Sequence, residues 1–344
     1  MHSQPHLKRI IEGRATLTRE DARTLLQSIL AGDLTEIHRA AILTALATRG
    51  EAPSEIAGFV DIMRSAATPV PLDPAERALL VDTCGTGADL SGTFNVSTAA
   101  ALVAAAAGAT VAKHGNRAVT SQCGSADVLE ALGIPVALAP AEGAASLRQH
   151  RFAFFHAPSL HPAMKIVMPV RRALGIRTIF HLVGPLSNPA GASAQVMGVY
   201  SAHLVPIVAE AMALLGTRHA FVVHGHNDSV TTGMDEISIS GPTQIAEVQN
   251  GKVTLSTITP EDAGLPRAST SALMGGDAHT NAAILTAIFA GEPGPRRDIV
   301  LLNAAAVLVA SDLTPTLTAG VALAAKTIDS GAVTKLVASL ARSI

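Results

Sequence analysis

Apolar residues recur three and four positions apart through residues 18–32 (TREDARTLLQSILAG), 35–50 (TEIHRAAILTALATRG) and 53–66 (PSEIAGFVDIMRSA), the spacing that lines one face of a helix. The first two runs stop at Gly32 and Gly50, where glycine suits a helix C-terminus. Residues 67–76 carry Pro69, Pro71 and Pro74 and read as a linker. Residues 1–72 are therefore predicted to form a small, mostly helical domain. Beyond them the period changes. Short apolar runs at 78–81, 109–112, 135–139, 151–155 and 219–223 read as strands, alternating with helical patterns at 97–107 and 125–132. This predicts an α/β fold: a large domain with a mostly parallel central sheet flanked by helices. Helical runs at 280–291, 297–311 and 317–331 follow. Residues 161–191 read as helix ending in a Gly/Pro-rich loop, and periodicity leaves open which part of the fold they pack against.

Composition narrows the class. The chain has 344 residues, 48% hydrophobic, 3% aromatic and 15% charged, as expected of a packed, helix-rich protein. The apolar run 99–107 falls short of the ~20 residues a membrane helix needs, and the N-terminus lacks a signal-peptide core, so a cytoplasmic protein with no membrane partner is expected. A formal net charge of -2 gives no broad positive field, which argues against nucleic acid as a partner. Cys84 and Cys123 are too few for a disulfide framework and read as small buried residues in tight loops.

The candidate chemistry begins where the first strand is expected to end, at Val81. Gly85, Gly87 and Gly92 precede Asn95, Ser97 and Thr98 at a helix start, where backbone N–H groups and the helix dipole favour an anion. This is not the dinucleotide fingerprint, because counting from Gly85 the sixth position is Leu90. It is not a P-loop either, because Thr93 and Phe94 follow Gly92. A second strand, 110–112, runs into a loop with Lys113, His114, Asn116, Arg117, Thr120, Ser121 and Ser125. In a βαβ unit both loops lie at the C-terminal edge of the sheet, so they are expected to form one site for a polyphosphate. Asp235 and Glu236 are adjacent hard-oxygen ligands suited to Mg²⁺ on phosphates, although such a pair is also an ordinary surface step. His224 with His226, or His156 with His161, lacks a third ligand at zinc spacing and reads as strand-end histidine.

The motifs DTCGTGAD (82–89), GTFNVSTA (92–99), KHGNRAVTSQCGSADVLEALG (113–133), HPAMKIVMPVRRALGIRTIFHLVGPLSNPAG (161–191) and GMDEIS (233–238) resemble, in order and interval, the anthranilate phosphoribosyltransferase family. The resemblance covers nearly the whole chain. It implies transfer of phosphoribose from phosphoribosyl pyrophosphate to the amine of anthranilate, releasing pyrophosphate, in tryptophan biosynthesis. It also implies a helical domain of residues 1–72 joined by about 165–188, an α/β domain of 73–164 and 189–344, and a homodimer formed through the helical domain. The implied donor positions are Gly85, Ala88, Asp89, Thr93, Asn95, Val96, Ser97, Thr98, Lys113, His114, Gly115, Asn116, Arg117, Ala118, Val119, Thr120, Ser121 and Ser125. Gly85, Asn116 and Arg171 are the implied anthranilate positions, and Ser97, Asp235 and Glu236 the implied Mg²⁺ positions. No side chain is implied as covalent nucleophile or base. Ala88 stands where family members carry glycine, and His181 where they carry asparagine.

Two rival readings share the fold. A pyrimidine nucleoside phosphorylase would use inorganic phosphate and gives the Asp-Glu pair less purpose. A non-catalytic nucleic-acid-binding relative would want a basic surface, which a net charge of -2 does not supply.

Overall fold

The computed structural model describes residues 3–87, 89, 91–118, 122–228 and 233–342. Helices α1 (Ser3–Ile11), α2 (Arg19–Ala31), α3 (Glu36–Arg49) and α4 (Pro53–Ser65) form the N-terminal part, and the short α5 (Pro74–Ala78) leads into the sheet. Thr18 and Thr35 cap α2 and α3 by accepting the N–H groups of Asp21 and His38, and Gly32 stops α2 in the left-handed conformation at φ 83°. The expected linker is anchored: the Thr68 N–H donates to the Leu160 carbonyl at 2.8 Å and Val70 is buried.

The chain then alternates: β1 (Leu80–Gly85), α6 (Val96–Ala106), β2 (Thr110–Gly115), α7 (Ser125–Ala131), α8 (Pro140–His150), β3 (Phe152–His156), α9 (Ala157–Leu160), α10 (Met168–Leu174), α11 (Phe180–Leu186), β4 (Ala194–Gly198), α12 (Leu204–Leu214) and β5 (His219–Gly225). A hairpin of β6 (Thr243–Gln249) and β7 (Lys252–Ile258) follows, then α13 (Ala278–Phe289), α14 (Pro295–Ala310), α15 (Leu317–Asp329) and α16 (Ala332–Leu340). The seven strands are ordered β3-β2-β1-β4-β5-β6-β7, the first five parallel and the last two antiparallel. The mostly parallel sheet and the helical N-terminal part are as the periodicity predicts.

Alternate strand residues supply two cores. Val196, Phe221 and Val223 face a core shared with α6, α13 and α14, whereas Met197, Ala220 and Val222 face one shared with α4, α11 and α12. The helix after β1 and the helix after β4 thus cover opposite faces. Strand order reverses between β1 and β4, and a parallel sheet opens a crevice at such a point, beyond the carboxyl ends of the strands. Residues 161–191 prove to be three short helical pieces rather than one run, and Val167, Val170, Phe180 and Val183 pack in the same core as the N-terminal helices.

Three expectations need correction. Strands β1 and β2 do not end at Val81 and Ala112 but run on to Gly85 and Gly115, so Lys113, His114 and Cys84 lie in strands and not in loops. Lys113 and Cys84 find buried partners in place of water, and the His114 ring packs against that of His161. Residues 135–139 pair with no strand; Ile134 and Val136 are buried by packing beside α7. The strand β4, the hairpin β6–β7 and the helices α8 and α16 are additions to the expected set.

Candidate active site

The crevice between β1 and β4 is floored by glycine. Gly85 and Gly198 are register partners at the ends of these strands, and the segment carrying Asp235 lies over them. A Cβ at Gly198 would collide with the Asp235 carbonyl, and one at Gly85 with the Asp235 carboxylate. Only residues without side chains let that backbone approach. The loop after β1 grips the same carboxylate: the Gly87 N–H donates to Asp235 Oδ2 at 2.7 Å and the Thr86 hydroxyl at 3.4 Å. Asp89 closes the circuit, accepting the Asp235 N–H at 3.2 Å through Oδ2 and the Ser91 N–H at 3.1 Å through Oδ1. The Ser91 and Thr93 hydroxyls lie 3.1 Å apart in the same loop.

Helix α6 begins at this point. Its flanking residue Asn95 caps no helix N–H; its side chain donates instead to the Cys123 carbonyl at 3.2 Å and accepts from Asn281 at 2.9 Å. The free helix terminus is met by Glu236, whose carboxylate accepts the Ser97 N–H at 3.1 Å. The Glu236 carboxyl therefore already occupies the N-terminal end of α6. Val96 and Thr98 are buried, and the Val96 N–H already donates to the Phe94 carbonyl at 2.7 Å.

Lys113 reaches the site from beneath. It is 1% exposed, and its ammonium donates to the Thr83 carbonyl at 2.7 Å and the Ser97 hydroxyl at 3.3 Å. Burial lowers its pKa, while the charge of Asp82 opposes that shift. Asp82 is fully buried in β1 and accepts from the His114 N–H at 3.2 Å and the Asn188 amide at 2.9 Å; desolvation raises its pKa to about 6 despite Lys113. Asp82 and Asn188 form a polar support that the sequence reading missed. The available signal was an acid inside an apolar strand pattern, which must have a partner.

The loop after β2 is shaped by α7. The Asn116 carbonyl accepts from the Ser125 hydroxyl and the Ala126 N–H, each at 3.2 Å, and the Asp127 carboxylate accepts the Ala118 and Gly124 N–H groups, each at 2.9 Å. Gly115 leaves room for Ser125. Arg117 is turned onto α7, pairing with Asp127 at 3.0 Å and Glu130 at 2.8 Å. Of the expected donor positions, Ala88, Val119, Thr120 and Ser121 lie outside the described residues.

Asp235 and Glu236 both have raised pKa values. Asp235 is pushed well above the carboxylate range by burial and then by the charges of Asp89 and Glu236, and burial raises Glu236 to about 8. Crowded carboxylates short of positive charge are the donor set a hard divalent cation stabilises. Among the described residues no three His, Cys, Asp or Glu side chains form a closed metal cage. The pair fits a cation that brings waters and a phosphate of its own, as Mg²⁺ does.

Arg171 sits in the last turn of α10, away from these contacts. Burial lowers its pKa, its Nε has no partner, and the guanidinium lies 5.6 Å from the Phe180 ring centre and 3.8 Å from Met168 Sδ. No carboxylate of the described residues pairs with it. His181, the departure from the family asparagine, makes a local bond of its own: its Nδ1 accepts the Thr178 N–H at 3.1 Å.

The class of protein is shown by two matches that together span the helical bundle and the sheet: it is a glycosyl transferase. The model of the glycosyl transferase family, a/b domain, matches residues 77–334, and that of its helical bundle domain matches residues 4–67. The chain is 48% identical over 337 residues to the anthranilate phosphoribosyltransferase of Solibacter usitatus, covering 98% of this chain and 97% of the relative. It is 50% identical over 325 residues to that of Symbiobacterium thermophilum, covering 94% and 93%. The chain belongs to the anthranilate phosphoribosyltransferase family. The crystal structure of the Thermus thermophilus member superposes with a TM-score of 0.89 at 42% identity, covering 100% of this chain and 99% of the other. A Saccharomyces cerevisiae member in complex with phosphoribosyl pyrophosphate and Mg gives 0.86 at 27%, covering 99% and 97%.

Proposed function

We propose that this protein transfers phosphoribose from phosphoribosyl pyrophosphate to the amine of anthranilate, releasing pyrophosphate, as a step of tryptophan biosynthesis in the cytoplasm. The observation that carries the reading is the convergence of the β1 loop, the start of α6, Lys113 and the Asp235–Glu236 pair at one strand edge, in a chain about half identical to named family members along nearly its whole length.

The amine nitrogen attacks the ribose C1 while the bond from C1 to the pyrophosphate oxygen breaks, so positive charge grows on the sugar and negative charge on the leaving group; the substituted nitrogen then loses one proton to water. Lys113 is placed to stabilise that negative charge, while the Gly87 and Ser97 N–H groups orient the Asp235 and Glu236 carboxyls beside it. Asp235, Glu236 and Ser97 would hold Mg²⁺, which supplies further charge neutralisation on the diphosphate. Anthranilate brings its own nucleophile, so no covalent enzyme intermediate is needed and positioning supplies much of the rest. For the acceptor, Gly85 and Asn116 border the donor, and the unpaired Arg171 guanidinium suits a carboxylate through two parallel bonds. The proposed homodimer through the helical domain would cover Ile11 and Ile37, exposed on the mutually packed α1 and α3; sedimentation of Ile37→Asp against the parent tests it.

Anthranilate fluorescence reports the reaction directly. Consumption should require phosphoribosyl pyrophosphate and Mg²⁺ together, and no turnover with all three present overturns the proposal. Asp235→Asn combined with Glu236→Gln should remove most turnover at ordinary Mg²⁺ while leaving the circular dichroism spectrum unchanged. Parental activity and Mg²⁺ dependence in that double variant would leave the pair a brace for the β1 loop and the start of α6, with no part in cation binding.

A further inference from the structure

Asn303 is the single polar residue between Ile299 and Ala310 of α14, a stretch buried throughout. An amide there costs free energy unless every polar atom is paired, and a leucine would pack without that cost. Its bonds show where the amide is used. Nδ2 donates to the Ile299 carbonyl one helical turn back and to the Ile237 carbonyl, both at 2.9 Å, and Oδ1 accepts the Ile237 N–H at 2.9 Å. Asn303 thus holds both peptide groups of the residue that follows Glu236, in the manner of a neighbouring strand.

The other side of the acidic pair is anchored likewise. Met234 exchanges both backbone bonds with Gly225, the last residue of β5, each at 2.9 Å. Asp235 and Glu236 are therefore suspended between two doubly bonded anchors, one on the sheet and one on α14. Helix α14 also packs along α6, whose first turn holds Ser97 against Glu236. One rigid helix sets the relation of the carboxylates to that hydroxyl.

We infer that Asn303 is a positioning residue for the Asp235–Glu236 pair, fixing the orientation in which the pair takes its divalent cation. The inference rests on the proposed cation role of that pair. Groups that orient metal ligands typically change metal affinity about 10- to 100-fold when removed. The test compares Asn303→Leu and Asn303→Asp with Val307→Ala, a cavity-forming change on the same helix. Two quantities are read: the Mg²⁺ concentration for half-maximal turnover, and Mn²⁺ binding by electron paramagnetic resonance with phosphoribosyl pyrophosphate present and anthranilate absent.

Asn303→Leu should weaken both by about tenfold or more and leave the anthranilate KM unchanged. Asn303→Asp, which keeps the acceptor for Ile237 N–H, should fall between it and the parent. Val307→Ala should lower thermal stability and change neither quantity. Parental cation binding in Asn303→Leu, whatever its melting temperature, overturns the inference; should that variant fail to fold, the same result in Asn303→Asp does so. A parent enzyme indifferent to Mg²⁺ and Mn²⁺ would instead overturn the functional proposal itself.

Discussion

Half-buried Arg171 and buried His114 carry the most direct consequences at the scale of single residues. Arg171 is a desolvated guanidinium with no acid beside it, whereas the adjacent Arg172 is exposed. If Arg171 takes the acceptor carboxylate, Arg171→Ala should raise the anthranilate KM by about one to two orders of magnitude, the equivalent of roughly 1.5–3 kcal/mol for a charge-assisted bond. Arg171→Lys should recover it in part and Arg172→Ala should matter little; steady-state kinetics in which the two arginines behave alike would misplace the acceptor site. His114 bears on stability. Its ring packs 5.2 Å from that of His161, and burial, then the neighbouring histidines, lowers its pKa from 6.5 to about 3. Between those values the unfolded chain holds a proton at this residue that the folded chain refuses, so its contribution is present above pH 6.5 and is lost as the pH falls toward 3. Urea midpoints at pH 7 and pH 5 should therefore differ less for His114→Phe than for the parent. Asp235 and Glu236 stand out in the sequence as an adjacent acidic pair, and Arg171 only through the family resemblance. What could not be read was their surroundings: nothing in the order of residues says that Lys113 is buried or that Asp82 and Asn188 lie near it.

Among the elements, the two strands that carry the loops were half legible. Apolar runs mark their first residues, but Asp82, Thr83, Lys113 and His114 look like loop because a polar residue in a strand ordinarily faces water; here Asp82 accepts from Asn188 and the His114 N–H, Lys113 donates to the Thr83 carbonyl, and the His114 ring is buried against His161. The hairpin of β6 and β7 carries a signal in the sequence itself: Asn250 and Gly251, both at positive φ (53° and 75°), form the two-residue turn that favours a right-twisted hairpin. Residues 135–139 err the other way, because apolar content alone does not distinguish a strand from a buried extended segment without a pairing partner. The strand ends also yield a prediction. Gly198→Ala adds one methyl group where the Asp235 carbonyl already sits. It should displace the acidic pair, and so lose turnover and raise the Mg²⁺ requirement, with little change in circular dichroism.

Over the whole molecule, the N-terminal helices and the sheet are not separate cores. Phe59 of α4 meets Phe180 of α11 at 5.9 Å, and both belong to a cluster that includes α12 and the strand residues Met197 and Val222. The proposed division into residues 1–72 with 165–188, and the remainder, therefore describes architecture more than independent stability. Phe59→Ala, at a fully buried position, should cost about 3–5 kcal/mol and move a single calorimetric transition; two transitions, only one of them shifted, would show halves that melt alone. The glycine floor bears on how this enzyme could be altered. Gly198 and Gly225 have no ligand assigned to them, yet a Cβ at either would strike the backbone of Asp235 or Glu236. A library covering every substitution at every position would show them as intolerant as the acids themselves, so a map of functional sensitivity would trace the bed of the site as well as its contacts, and searches for altered substrate range have room only in the loops above.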